Sequence, residues 1–115
     1  MKYLLLIGSE DKNGPGLTPA EGQKMVQAHM KLGEELRAAG KTVVAERLRP
    51  EGEASRVRQK GGQPQVTDGP FAETKEGLGG FYLLECASRE EALQWAAKIP
   101  LSAGGFVDVR PVWQM

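Results

Sequence analysis

The order of elements predicts an α+β domain in which two helices lie on one antiparallel sheet. Three observations carry that prediction. Residues 3–7, 80–86 and 106–113 are apolar runs of strand length, helix-start signals stand at 18–21 and 88–91, and glycine or proline punctuates the joints between them.

Residues 3–7 form a continuous apolar run bounded by Gly8 and Asn13-Gly14-Pro15-Gly16, which reads as a strand buried on both faces. Thr18-Pro19-Ala20-Glu21 then combines a hydroxyl cap, proline at the first helical position and a glutamate placed to reach back to the cap amide. This helix runs to about Ala39, where Gly40 offers a left-handed stop, and turns Met25, Ala28, His29, Leu32, Leu36 and Ala39 inward.

Residues 42–48, rich in β-branched side chains, make a strand that Arg49-Pro50-Glu51-Gly52 ends. Residues 54–60 and 63–67 flank Gly61-Gly62 and read as a hairpin around a short turn, with Arg56, Arg58 and Lys60 on one face. Only Val57 and Val66 are clearly apolar there, so the hairpin is expected at an exposed sheet edge. After the strand at 80–86, Ser88 and Glu91 suggest a second capping box. A helix follows over 90–98, with Ala92, Leu93, Trp95, Ala96 and Ile99 at helical spacing. Pro100 ends it, Gly104-Gly105 turns the chain, and residues 106–113 form the last strand.

This is the ferredoxin-like βαββαβ pattern with an inserted β-hairpin. Side chains alternate across a strand, so Tyr3, Leu5 and Ile7 oppose Leu4 and Leu6, and Phe81 and Leu83 oppose Tyr82 and Leu84. Both sheet faces are therefore apolar, and two helices cover only one. A homodimer of the dimeric α/β-barrel kind, packed sheet to sheet, resolves the mismatch.

At 115 residues the chain is expected to be one domain. Lys plus Arg equals Asp plus Glu at 15 each, which argues against nucleic acid or an anionic membrane as the partner. The lone Cys86 forms no intrachain disulfide, and no cysteine and histidine spacing suits zinc, so a reducing cytoplasm and no metal or cofactor are expected. Residues 4–7 are too short a run for a signal-peptide core, and no run approaches membrane-spanning length. Gly77-Leu78-Gly79-Gly80 lacks the lysine and hydroxyl of a phosphate loop. Arg47, Arg49, Arg56, Arg58 and Lys60 read as a solvated basic edge.

The most conspicuous stretch is Asp68-Gly69-Pro70-Phe71-Ala72-Glu73-Thr74-Lys75-Glu76. Gly69 admits positive φ and Pro70 donates no amide hydrogen bond, so a shaped loop ends the preceding strand. Together with Met1-Lys2-Tyr3-Leu4-Leu5-Leu6-Ile7, Glu35-Leu36-Arg37-Ala38-Ala39-Gly40, Ala92-Leu93-Gln94-Trp95-Ala96 and Val109-Arg110-Pro111-Val112, this loop resembles the DGPF-type branch of the YCII-related proteins. The resemblance implies a small ferredoxin-like dimer. It also implies a helical histidine followed, eleven residues on, by the glycine that closes the helix, a spacing His29 and Gly40 keep. That histidine is paired in the broader family with an aspartate after a Gly-Pro-Phe-like turn, a pair proposed there as an active site. The partner here is open among Asp68, Glu73 and Glu76.

A His29–carboxylate pair could act as a general base on a small anionic or carbonyl metabolite, with Lys75 or loop amides stabilising the developing charge. On that reading His29 and Asp68 are the catalytic candidates, and Phe71, Glu73, Lys75 and Glu76 the ligand-binding ones. The alternatives are a satisfied core histidine and an aspartate that caps its turn, so whether the chain is an enzyme stays open. Proteins of the DGPF type are also similar to accessory factors encoded beside extracytoplasmic-function sigma factors, which implies a non-catalytic rival role with a sigma factor as partner. Trp95 and Leu93 are expected to pack helix on sheet, Trp113 to meet a second subunit, and Cys86 to be a buried, inert thiol.

Overall fold

The computed structural model describes residues 1–11, 16–72 and 75–114. Its elements are β1 (Lys2–Ser9), α1 (Pro19–Ala38), β2 (Thr42–Arg47), a 3₁₀ turn at Glu51–Glu53, β3 (Ser55–Lys60), β4 (Gln63–Asp68), β5 (Gly77–Glu85), α2 (Arg89–Ala97) and β6 (Gly105–Pro111). The main sheet has the order β2-β5-β1-β6, antiparallel at every step. An α+β chain with this order and these two helices is compatible with the ferredoxin-like arrangement.

β3 and β4 pair with each other in a separate two-stranded sheet. The expectation that they extend the edge of the main sheet fails, because β2 and β6 are its edges. Gly61 and Gly62 turn the hairpin with φ of 61° and 78°, the two positive values that a two-residue turn matching the strand twist requires.

Register decides which side chains meet. Leu5 opposes Tyr82 and Val109, and Tyr3 opposes Leu84, so these residues share the helix-covered face. Leu5, Leu84 and Ala92 are fully buried there, against Leu32 and Leu36 of α1 and Ile99 beyond α2. Each such leucine contributes roughly 1.5–3 kcal/mol by burial. The opposite face carries Leu4 across from Leu83 and Leu6 across from Phe81, all only half-buried, so the first strand is not buried on both sides within one chain.

The helix signals hold with small corrections. Thr18 and Glu21 form the reciprocal capping box, and Gly40 follows α1 at φ 72°. At α2 the Ser88 hydroxyl accepts from the Glu91 amide, but the Glu91 carboxylate reaches past the cap residue to the Ala87 amide at 2.8 Å. Ala39 and Leu93 are exposed instead of inward-facing: Ala39 has already left the helix as its C-cap, and α2 turns Ala92, Trp95 and Ala96 to the core. No helix among the described residues is long and apolar enough to cross a membrane.

Candidate functional site

Where β1 and β2 end and β5 begins, the chain leaves an open cleft of about 750 Å³. Leu48 still gives its amide to Gly79 of β5 at 2.9 Å, and Pro50, which has no amide hydrogen to give, then ends the pairing. Ile7 and Ser9 line one wall, Met25 and His29 of α1 another, and Arg47 and Glu51 a third, with Pro100 and Ser102 closing the end.

His29 is placed by three elements at once. Its Nδ1 lies 2.8 Å from the hydroxyl of Tyr82, a residue whose ring is fixed in the core by β5, and the two rings run nearly parallel at 19°. Pro100, just beyond α2, lies close enough for its backbone to act on the ring. In the tautomer with hydrogen on Nε2, Nδ1 accepts from the Tyr82 hydroxyl. Burial holds the imidazole below its ordinary value of 6.5, the Arg47 charge pushes the same way, and the Pro100 carbonyl partly opposes them. His29 is therefore neutral at pH 7. Burial raises the Tyr82 phenol, which keeps its proton available as the donor.

The cations around the cleft differ in their attachments. Arg49 is tied to Glu53 at 3.1 Å, whereas Arg47 has no ion pair among the described residues. Glu51 is engaged, accepting from the Phe71 amide at 3.3 Å. An anionic group entering beside Arg47 would meet a cation, a neutral imidazole and backbone glycines at 77 and 79.

The residues singled out from sequence are dispersed. Among those of them that are described, only His29 lines the cleft. Asp68 closes the hairpin, its Oδ1 accepting from the Ser55 hydroxyl at 3.0 Å, and it does not line the cleft. Phe71 is buried beneath the Arg56 guanidinium, 4.0 Å from the ring centre, and its loop includes a cis Gly69–Pro70 peptide. Lys75 and Glu76 are exposed and also absent from the cleft lining, and Glu73 lies outside the described residues. Sequence reasoning missed Tyr82, Arg47 and Pro100 as companions of His29. A phenol in an otherwise largely apolar strand was the available signal, since a buried tyrosine hydroxyl needs a polar partner.

Two other groups are structural. Cys86 is buried, and its thiol is raised by that burial and then by the Glu91 charge, so it is a poor nucleophile. Glu91 is lowered by the Ala87 amide and by Lys41, 3.2 Å away. Among the described residues no group of His, Cys, Asp and Glu side chains is arranged to hold a metal ion.

Comparison with known proteins agrees over the whole chain. The family model described as the YCII-related domain matches residues 1–115. An uncharacterized protein of Rhizobium meliloti (strain 1021) is 34% identical over 114 residues, covering 97% of this chain and 92% of its own length.

Proposed function

The chain belongs to the YCII-related family, and from that premise we propose that it is a small-molecule-binding homodimer. Its ligand is a compact metabolite bearing a carboxylate or a carbonyl group. The cleft beside Arg47 and the neutral His29 carries this reading, because it pairs a cation that has no ion pair among the described residues with a preoriented polar wall in a volume suited to a small ligand. Arg47 contacts the anionic group, and the His29–Tyr82 pair flanks it.

Any cofactor-free acid–base step in this reading falls to His29. Nδ1 is held by Tyr82 within the chain, so the nitrogen left to give or take a proton is Nε2. Tyr82 holds the other nitrogen meanwhile, fixing the tautomer. Asp68 and the DGPF-type loop support the Glu51 wall instead of touching the reacting atoms. The half-buried stripe of Leu4, Leu6, Phe81 and Leu83 supports the dimer, as the face a second copy covers.

Titration with glyoxylate, pyruvate and malonate, followed by the ring resonances of the sole histidine, tests the site. At least one probe is expected to shift them saturably. Arg47→Ala should weaken that binding about ten-fold or more, the loss of roughly 1.4 kcal/mol expected for one charged contact, while Asp68→Ala binds as the parent does. Failure of all three probes to shift His29 at millimolar concentration counts against the assignment.

A further inference from the structure

The β3–β4 hairpin stands away from the rest of the chain. Neither strand packs closely on the main sheet or the helices, and the radius of gyration, 15.9 Å, exceeds the roughly 13 Å of a compact chain of this length. A lone two-stranded ribbon is marginal in water, so an extended one invites the question of what covers it.

Its two faces differ. Arg56, Arg58 and Lys60 share one face with Thr67, Gln65 and Gln63, and Arg56 lies over Phe71, so this basic face turns toward the chain's own loop. Val57 and Val66, directly opposite each other, occupy the other face with Pro64 and point away from it. They are 62% and 67% exposed, more than any other β-branched residue here described as exposed and apolar. A valine pair on an outward ribbon face is a contact surface looking for an occupant.

Area identifies the occupant. The open face of the four-stranded sheet spans roughly 19 by 23 Å in plan, about 440 Å² by strand spacing and rise. A stable interface takes roughly 800 Å² from each partner. By the same spacings the outward hairpin face adds roughly 200 Å², bringing the two faces to roughly 640 Å² in plan, nearer to what each partner of a lasting dimer buries than the sheet face alone.

We propose that the hairpin is an intersubunit arm whose Val57, Pro64 and Val66 face docks on a second copy of this chain. The proposal rests on the dimer reading and assigns it a second contact element, separate from the sheet stripe. It also ties assembly to the ligand cleft. The arm is rooted in the 3₁₀ turn at Glu51–Glu53, and Gly69 at the end of β4 gives its amide to Ala54 at 2.7 Å, so seating the arm fixes the Glu51 wall.

Sedimentation equilibrium over a concentration series, on the full chain and on the double variant Val57→Ser with Val66→Ser, tests it. Circular dichroism confirms that the variant keeps the parent's fold, and Val57→Ile with Val66→Ile serves as the apolar control. A dimer dissociation constant raised ten-fold or more in the serine variant, and retained in the isoleucine one, is the expected result. A parent dimer whose constant is unchanged by the serines overturns the arm and leaves the sheet-face dimer standing. A parent that stays monomeric at tens of micromolar overturns both. Should the serine variant fail to fold, replacing residues 56–67 with a Gly-Gly link gives the same readout.

Discussion

The cleft around His29 and the loop after Asp68 are the two chemically rich regions of this chain, and they differ in how their polar groups are employed. Around the loop three groups already have local work. Asp68 accepts from Ser55, the Phe71 amide donates to Glu51, and Arg56 covers the Phe71 ring. In the cleft Arg47 has no carboxylate partner among the described residues, and the neutral imidazole is aimed by Tyr82. A conspicuous loop can therefore be scaffold, while the polar groups open to a ligand sit in a cleft outside it.

The sharpest way to break this contrast is to remove Phe71. Phe71→Ala should cost about 3 kcal/mol in chemical denaturation, the low end for a buried aromatic, because the ring belongs to a satellite cluster and not to the main core. Gly69→Ala comes next, since a Cβ there would lie 2.2 Å from the Glu51 carbonyl oxygen. It should lose roughly 1–3 kcal/mol by the same measurement as the backbone shifts to relieve the overlap. If either variant abolishes probe binding while still folded, the loop is part of the site and the contrast fails.

Smaller effects sharpen it from the other side. Asp68→Ala should cost about 1 kcal/mol, the worth of one exposed hydrogen bond with its partner left to water, and leave probe binding intact. The pH dependence of stability isolates His29. Its folded pKa is depressed below 6.5, so as pH falls the unfolded chain binds the proton first. The contribution is fully present above about 6.5 and is lost as pH falls from there through the lower folded value. Denaturation of the parent and of His29→Gln across pH 4 to 8 should show that slope in the parent alone.

Much of the fold is legible in local chemistry. Thr18 with Glu21, Gly40, Gly61-Gly62 and the break after Asp68 each satisfy or interrupt backbone hydrogen bonding within a few residues, and each lies where its spacing puts it. The misreadings share a cause. The hairpin's detachment from the sheet, the exposure of Leu93 and the Tyr82–His29 bond depend on packing between residues far apart in the chain, 53 positions in the last case. Alternation put Tyr82 on the face opposite Phe81 and Leu83, and packing made that the helix-covered one. It could not say that the phenol tip would meet His29, because that contact is set by how α1 lies across β5.

The site reading stands or falls on the protonation of one imidazole, and a single histidine makes it directly observable. A pH titration of the His29 ring nitrogens by ¹⁵N-detected NMR, with and without saturating pyruvate or malonate, is the decisive measurement. Without ligand the ring should be neutral, with hydrogen on Nε2 and Nδ1 on the Tyr82 hydroxyl, and should titrate below 6.5; an anion bound beside it should raise that midpoint by favouring the charged form. A free-chain midpoint at or above 6.5, or one that no anion moves, would contradict the assignment of this cleft as the ligand site.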